Sequence, residues 1–250
     1  MNPNVPEIED IFNRLTSRYR LGNLLISGGT IAYTRRQAIR ALSELSVSDW
    51  VLDVACGPGD LGRSIPQVQD PKRGFHVVGL DVSSNMLRIA LKKNSQEKNK
   101  LKRLHLIRAN ALRLPFPDSI FKAILIGYGL RNLTPRKQAL AEFFRVTKEK
   151  GVLICLETSQ AVTNISHFFQ TIHFRYIVPI IGKLLKRERE YGHLNQSIAH
   201  FPTAYEIQQE MEEVGWAKIQ KWPLLGGAVM IHIGLRVKEA KKSENAKKSF

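Results

Sequence analysis

The chain has 250 residues, 43% of them hydrophobic, and a formal net charge of +16 at pH 7. This length suits one sizeable core and is too short for two full domains, so we expect one globular domain with additions. The charge is unusual for an enzyme of small soluble metabolites and indicates an anionic partner surface, either nucleic acid or phospholipid headgroups. The two cysteines, Cys56 and Cys155, form no CxxC pair and lie in apolar runs. They exclude a disulfide framework and a zinc site, and they predict reduced core residues of a cytosolic protein.

The N-terminal segment, residues 1–46, has helical patterning and contains the loop LLISGG. Its opening, MNPNVPEIEDIFNRL, is polar and acidic and lacks the basic start and apolar block of a secretory signal, so we do not expect export. The sequence contains no run that approaches the roughly 20 apolar residues of a membrane-spanning helix. Any contact with a membrane is therefore expected at its surface.

The central segment, residues 47–157, alternates apolar runs of strand length with stretches of helical spacing. The strand-like runs are WVLDVA, HVVGLDV, LHLIRAN, KAILIGYG and GVLICLE. The helical stretches are DLGRSIPQVQ, SSNMLRIALKKNSQEK and TPRKQALAEFFRVTKEK, with Ser83 or Ser84 and Thr134 as expected N-caps. This alternation predicts the α/β class, with an open, mostly parallel, doubly wound sheet. Ligands of such sheets bind outside the carboxyl ends of the strands, where the topology switches direction.

The first of these strands ends in the loop VLDVACGPGD, which spans residues 51–60. Gly57 and Gly59 would let the backbone approach a ligand closely, and Asp81 ends the second strand, where a carboxylate can accept from both ribose hydroxyls. The spacing predicts a nucleoside site, with a tight turn that binds nothing as the alternative. Asp53 and Asp60 would repel a pyrophosphate but suit an amino group and a sulfonium. The loop therefore favours S-adenosylmethionine over NAD.

Four stretches carry a resemblance to known enzymes. They are VLDVACGPGD, GLDVSSNMLRIA, RANALRLPFPDSIF and GYGLRNLTPRKQALAEFFRVTKEKGVLICLE. The chain resembles the class I S-adenosylmethionine-dependent methyltransferases and, more narrowly, the C-methyltransferase family of ubiquinone and menaquinone biosynthesis, over roughly residues 10–236. The first two stretches are common among methyltransferases, whereas G-L-R-N after the fourth strand is specific to the narrower family. The resemblance implies a Rossmann-like fold, S-adenosylmethionine as cofactor and C-methylation of a demethylquinol ring, either in menaquinone synthesis or in the ubiquinone equivalent.

The resemblance implies a set of cofactor-binding residues. They are Asp53, Ala55, Gly57, Gly59, Asp60, Asp81, Met86, Asn110, Ala111 and Gly127. The loop after the first strand would take the methionine part, Asp81 the ribose, and Asn110 with Ala111 the adenine. The alternatives are that Asn110 is a turn residue at a strand end and that Met86 is ordinary helix core. Gly127 stands where the family often has serine.

The resemblance also implies an acceptor site for a quinol with an isoprenoid tail. Arg131 would stabilise a developing phenolate or order a water, and Asn132 would orient the ring or that water; a structural ion pair is the alternative for Arg131. Tyr191 and His193 lie in the segment that the family uses to cover the acceptor, where His193 replaces a tyrosine. Nearby apolar residues would line a tunnel or form helix core: Phe168, Phe169, Phe174 and Ile177.

Several positions depart from the family pattern: Arg20, Thr34, Pro58, Lys122 and His193. They leave open a relative that acts on another hydrophobic acceptor, and a non-catalytic partner in a quinone-synthesis complex. An RNA methyltransferase is the rival that the charge suggests. The sequence has no appended RNA-binding module, no amide-methylating motif after the fourth strand and no catalytic cysteine pair, so nucleic acid is not expected as a partner.

We expect residues 1–236 to form one methyltransferase domain. Its parts are an N-terminal helical lid (1–46), a cofactor-binding core (47–157), an acceptor-covering insertion (158–210) and closing elements (211–236), followed by a basic disordered tail (237–250). WAKIQKWPL and AVMIHIGLRV predict a C-terminal antiparallel strand pair with Gly226 and Gly227 at its turn. The expected partners are the isoprenoid quinol and an anionic membrane surface, met by KLLKRERE and the tail, with a homodimer as a further expectation. This places the enzyme in the cytoplasm, peripheral on the inner face of the membrane.

Overall fold

The computed structural model describes residues 5–15, 27–67, 69–70, 74–96, 101, 103–159 and 170–237. Three expectations lie outside these residues. They concern Arg20 with the motif around it, the aromatic pair Phe168 and Phe169, and the basic tail beyond residue 237. Among the described residues, no helix is both long and apolar enough to cross a membrane.

Seven strands of the described chain form one sheet. They are β1 (Trp50–Val54), β2 (His76–Asp81), β3 (Leu104–Arg108), β4 (Phe121–Gly127), β5 (Thr147–Thr158), β6 (Ala217–Leu224) and β7 (Val229–Leu235). Their order is β3-β2-β1-β4-β5-β7-β6, in which the first five are parallel, β7 is antiparallel to β5, and β6 is antiparallel to β7. The predicted α/β class, the mostly parallel sheet and the closing antiparallel pair are confirmed. Gly226 and Gly227 lie in the turn between β6 and β7, also as predicted.

Helices cover the sheet. They are α1 (Val5–Leu15), α2 (Thr30–Arg40), α3 (Ser84–Gln96), α4 (Arg136–Val146), α5 (Val178–Leu184), α6 (Glu188–Ala199) and α7 (Ala204–Val214). A π-helical turn, His173–Ile177, leads into α5. Two short 3₁₀ helices, Gly62–Gln67 and Leu130–Asn132, follow β1 and β4.

Four local predictions can be checked against these bounds. The Ser83 hydroxyl accepts a hydrogen bond from the Met86 amide at 3.1 Å, so Ser83 caps α3 as predicted. Thr134 as a cap was wrong, because Pro135 directly precedes α4 and no side chain caps that helix. The predicted helix after β1 is only a 3₁₀ helix, since Pro66 inside it lacks the N–H that a longer helix needs. The TKEK stretch, predicted as the end of α4, instead begins β5.

The central strands β1, β2, β4 and β5 are buried on both faces along most of their length, which explains their continuous apolar runs. Along β4, Ile124 and Ile126 pack into the core under α4 and α7, whereas Ala123 and Leu125 pack into the core under α2. Cys56 and Cys155 are buried free thiols. Because side chains inside the sheet are tightly packed, the functional groups lie in the loops at the strand ends.

The sheet order places a topological switch between β1 and β4. β1 pairs with β2 on one side and with β4 on the other, so the loops that leave β1 and β4 diverge at the carboxyl edge. Ligand sites of open α/β sheets form in this crevice. The predicted loop after β1 and the G-L-R-N motif after β4 thus lie side by side.

Candidate active site

The loop after β1 turns sharply because three of its residues adopt the left-handed conformation. The φ angles are 50° at Ala55, 52° at Gly57 and 73° at Gly59. At Gly59 a side chain would also be crowded, because a Cβ atom there would lie 3.2 Å from the Ala90 Cβ. The turn exposes backbone amides toward the carboxyl end of β2, where the Gly57 N–H donates to Asp81 at 2.7 Å.

Asp81 is fixed by two backbone amides at the end of β2. Its Oδ2 atom accepts from Gly57 and its Oδ1 atom accepts from the Ser83 N–H at 2.8 Å. Burial raises the pKa of this carboxyl, although the hydrogen bonds oppose that shift. Each carboxylate oxygen has a second lone pair, and the residue lines a cavity. Asp81 therefore has the capacity to accept hydrogen bonds from a vicinal diol.

Asp53 lies behind the loop and does not line the cavity that Asp81 lines. It is 2% exposed, and its Oδ2 atom accepts from the Gly62 N–H at 2.9 Å. Burial raises the pKa of Asp53 to about 7. A Cβ at position 62 would lie 3.0 Å from the same oxygen, so Gly62 packs helix against strand. The Asp53 carboxyl was predicted to face the cofactor, but it instead fixes the end of the loop through the Gly62 N–H.

Asp60 is likewise turned away from the cavity, toward three cations. Its carboxylate is paired with Arg35 at 3.1 Å, Arg63 at 2.8 Å and Lys93 at 2.7 Å. Burial alone would raise its pKa, but these cations outweigh burial and lower it. Because the partners come from α2, the 3₁₀ helix and α3, Asp60 ties three elements to the loop.

A cavity opens at the carboxyl ends of β1, β2 and β4. Among the predicted cofactor residues it is lined by Ala55, Gly57, Asp81, Asn110, Ala111 and Gly127. Asn110 also makes the predicted turn, since its Oδ1 atom accepts from the Leu112 N–H at 2.9 Å. Met86 is completely buried and, like Gly59, is not among the lining residues.

The lining of this cavity fits an adenosine group. Leu80, Ala109 and Leu112 supply an apolar slot for a purine, with Asn110 at its edge. Asp81 supplies the acceptor for ribose hydroxyls, and the left-handed loop brings backbone close to the remaining part of a ligand. Gly129 lets the chain after β4 lie close to the loop after β1, because a Cβ at position 129 would be 2.9 Å from the Ala55 Cβ. This close approach keeps the slot narrow. The donors and acceptors present thus match S-adenosylmethionine.

A second and larger cavity adjoins the first. Most of its walls are apolar and come from α1, α2, the π-helical turn and α6. Its polar lining includes Arg131, Asn132, Tyr191 and His193, which are the four residues predicted to act on the acceptor. Phe12, Tyr128 and Asn132 line both cavities. The two cavities therefore meet at these three side chains, where two bound reactants would touch.

Arg131 forms an ion pair with a carboxylate of the core. Its guanidinium donates to Glu157, which is 1% exposed, and its backbone N–H donates to the same carboxylate at 3.3 Å. The Arg131 Nε atom is buried and has no hydrogen-bond partner among the described residues. Arg131 thus makes the structural ion pair that was its alternative role, and its side chain also lines the second cavity.

His193 is held at the cavity junction by Asn132. The His193 Nε2 atom lies 3.2 Å from the Asn132 Oδ1 atom, an oxygen that only accepts, so Nε2 carries the proton and Nδ1 does not. Burial and the nearby Arg131 lower the pKa of His193, which favours the neutral ring. Tyr191 is largely buried in the same wall, and burial raises its pKa.

Phe12 and Tyr128 are the two junction residues that the sequence analysis missed. Tyr128 adopts a φ of 60°, unusual for an aromatic residue, and its hydroxyl lies 2.7 Å from the Thr34 hydroxyl. Thr34 is completely buried, so this departure from the family pattern has a structural role. The one sequence signal was the pair of glycines on either side of Tyr128. Lys122, another departure, is not among the residues that line either cavity and reaches the Lys150 carbonyl at 3.5 Å.

No group of three or more histidine, cysteine or acidic residues that could hold a metal ion occurs in the part of the chain that the structure describes.

Comparisons with known proteins agree with this geometry. The model of the ubiE/COQ5 methyltransferase family matches residues 2–236. The demethylmenaquinone methyltransferase of Halalkalibacterium halodurans is 34% identical over 239 residues, which cover 95% of this chain and 96% of that protein. The demethylmenaquinone methyltransferase of Staphylococcus haemolyticus is 32% identical over 244 residues, covering 96% and 98%. A SAM-dependent methyltransferase structure from Aquifex aeolicus shares the fold with a TM-score of 0.56 at 17% identity, covering 81% of this chain and 89% of that one.

Proposed function

The chain belongs to the ubiE/COQ5 methyltransferase family and is an S-adenosylmethionine-dependent methyltransferase, and from this premise we propose that it methylates the ring carbon of a demethylmenaquinol. The family membership confirms the resemblance that the motifs indicated. The observation that carries the proposed acceptor is the meeting of two cavities at Tyr128 and Asn132. One cavity fits adenosine, and the other is large and apolar, as a ring with an isoprenoid tail requires.

The cofactor is held by the loops at the strand ends. Asp81 accepts from the ribose hydroxyls, and Asn110 with Ala111 borders the adenine. The left-handed turn at Gly57 allows the backbone to pass close to the methionine part. When bound, S-adenosylmethionine supplies a methyl group on a positively charged sulfur. These residues would hold the cofactor beside the junction of the two cavities, and such positioning is a large part of catalysis.

The acceptor carbon becomes nucleophilic only when the ring hydroxyl loses its proton. We assign the unprotonated Nδ1 atom of His193 as the group that takes this proton, since the lowered pKa keeps the ring neutral. Arg131, whose 9% exposed side chain lines the cavity, stabilises the resulting oxyanion through the positive charge of its guanidinium. Asn132 holds the imidazole in the required tautomer. The substitution of histidine for the family's tyrosine at position 193 is thus compatible with catalysis.

The net charge of +16 has a use in this proposal. An isoprenoid quinol resides in the bilayer, and attraction to anionic lipid amounts to about 1 kcal/mol per lysine or arginine near the surface. We propose that the enzyme acts peripherally on the inner face of the membrane. Electrostatic attraction to RNA is the rival use of the charge, and the assay below includes it as a separate acceptor.

The test is a methyl-transfer assay with labelled S-adenosylmethionine and chemically reduced demethylmenaquinol in detergent, with bulk RNA as the parallel acceptor. We expect label in the quinol, lost in Asp81→Ala and Arg131→Ala and retained in Lys122→Ala, whose side chain lies outside both cavity linings. Label in RNA alone would refute the proposal. Cofactor binding without transfer to the quinol would also count against it, and would favour another lipid acceptor or a non-catalytic role.

A further inference from the structure

A strip of large apolar side chains faces solvent on the helix that borders the acceptor cavity. The strip consists of Tyr176, Ile177, Ile180 and Leu184, which are 55%, 43%, 56% and 73% exposed. Three of them follow one another at intervals of four residues, a spacing that places side chains on one helical face. Single exposed apolar residues need no explanation, but a contiguous row of them marks an interaction surface.

The strip is separate from the apolar face by which the same helix is anchored. Val178, Ile181 and Leu185 pack on the other side, against Tyr191 of α6. Gly182 permits this close approach, because a Cβ there would lie 3.1 Å from the Tyr191 Cβ. The helix is therefore apolar on two sides, of which the protein itself covers only one. Such a helix suits a position between a protein core and an apolar phase.

Basic side chains surround the strip. Arg175, Lys183 and Lys186 are exposed beside it, and the Arg175 guanidinium lies 5.9 Å from the centre of the Tyr176 ring. Arg189 follows on α6, where its side chain is 60% exposed. Long basic side chains place their charge at the level of lipid headgroups while their stems lie along apolar surface. An apolar row with a cationic border matches an anionic bilayer surface rather than a protein core.

The strip also continues into the acceptor cavity. Ile177 belongs to both, since it is exposed on the strip and lines the cavity wall beside Phe174. A molecule that leaves a bilayer at the strip would therefore meet the apolar side chains of Ile177 and Phe174 in the wall of the cavity that Asn132 and His193 also line. This continuity is what a substrate with a long apolar tail requires.

We propose that the strip inserts into the headgroup region of an anionic phospholipid bilayer and forms the entrance by which a bilayer-resident acceptor reaches the cavity. The entrance part rests on the proposed function, whereas bilayer insertion stands on the exposed strip and its charged border. The insertion is shallow and spans nothing. It would orient the molecule with the mouth of the acceptor cavity against the membrane.

Vesicle binding of the full chain tests the insertion. The probe is a vesicle of mixed phosphatidylcholine and phosphatidylglycerol, and the variant carries Ile180→Glu with Leu184→Glu. We expect its vesicle affinity to fall about tenfold or more, because two charges replace the inserted groups. Leu91→Glu is the matched control, since Leu91 is 63% exposed on α3, and its affinity should stay within about twofold of the parent chain. Equal losses in both variants, or no loss in either, would overturn the proposal.

A fluorescence measurement gives a readout that does not depend on stability. Tyr176→Trp places an indole on the strip, whereas the native tryptophans lie at positions 50, 216 and 222. Its emission should shift to the blue when vesicles are added, and the emission of Leu91→Trp should not. An unchanged Tyr176→Trp spectrum in the presence of bound vesicles would contradict insertion at the strip. A dimer that dissociates in the glutamate variant while vesicle binding persists would also overturn the proposal, because the strip would then contact a second copy.

Activity on two acceptors separates this inference from the proposed function. The glutamate variant should methylate a short-tailed, water-soluble demethylnaphthoquinol at the parental rate and lose activity on the long-tailed quinol in vesicles. Loss on both acceptors would assign the strip to the cavity itself and refute the entrance. If the parent chain methylates neither quinol, the proposed function fails, and the vesicle and fluorescence results still decide whether the strip inserts.

Discussion

Replacing Glu157 by glutamine tests whether the core carboxylate holds Arg131 in the cavity wall. Glu157 is 1% exposed and accepts from Arg131 twice and from the Thr158 backbone at 2.8 Å. Breaking a buried pair by removing one charge costs about 3–5 kcal/mol of stability, since the other charge is left uncompensated. The Arg131 side chain is 9% exposed beside a cavity, so we expect a loss of stability at the lower end of this range, about 3 kcal/mol. For a chain of this size that corresponds to a fall of about 6–12 °C in melting temperature.

Thermal unfolding followed by circular dichroism measures this effect. The matched control is Glu210→Gln, which breaks the more exposed pair with Arg136, where both hydrogen bonds are 2.6 Å. Pairs nearer the surface contribute about 1 kcal/mol or less. The double change Glu157→Gln with Arg131→Met should cost less than the sum of the single changes, because no buried charge then remains unpaired. A Glu157→Gln melting temperature no lower than that of the Glu210→Gln control would refute this reasoning.

Three further predictions follow from other contacts. Because the folded-state pKa of Asp53 is raised to about 7, its contribution to stability is present below the unfolded value of 3.8 and is lost as pH rises to about 7. Asp53→Asn should remove this loss, so denaturant titrations at several pH values should show the variant gaining on the parent chain across that window. If His193 is the base, kcat should fall at low pH with an apparent pKa below 6.5, and pH–rate profiles of His193→Asn should lack that limb. Gly129→Ala should weaken cofactor binding about tenfold in calorimetry, since its Cβ would lie 2.9 Å from Ala55, whereas Gly192→Ala, with open space around it, should bind normally.

The centre of the sheet could be predicted because β1, β2, β4 and β5 are buried on both faces. Two-sided burial produces continuous apolar runs, and parallel order follows from the helical stretches between them. The residues at which helices and strands begin and end could be predicted less well from these patterns. The TKEK stretch has helical composition, yet Thr147 pairs with Phe121 and starts β5, a tertiary contact that overrides local preference.

Some residues of the candidate site could likewise be predicted from the sequence, whereas others could not. Asp81 was placed by its position at a strand end and Asn110 by the family resemblance, and both line the first cavity. Asp53, within β1, and Asp60, in the loop after it, were also predicted, but neither lines the cavity. For Asp60 the reason is three cations, one of which, Lys93, comes from α3. The sequence of the loop does not contain that information, and the left-handed conformation of Tyr128 is equally invisible in it.

The arrangement of charges around the junction suits the proposed reaction. A cationic methyl donor and an anionic ring react to give neutral products, so charge disappears in the transition state and an apolar junction favours its formation over the separated charges. Phe12 and Tyr128 provide that apolar contact between the cavities. A free cation at Arg131 would repel the donor, but its pairing with Glu157 neutralises that charge while the guanidinium still lines the acceptor cavity. The buried ion pair thus provides a guanidinium for the acceptor's oxygen without adding a net positive charge next to the positively charged methyl donor.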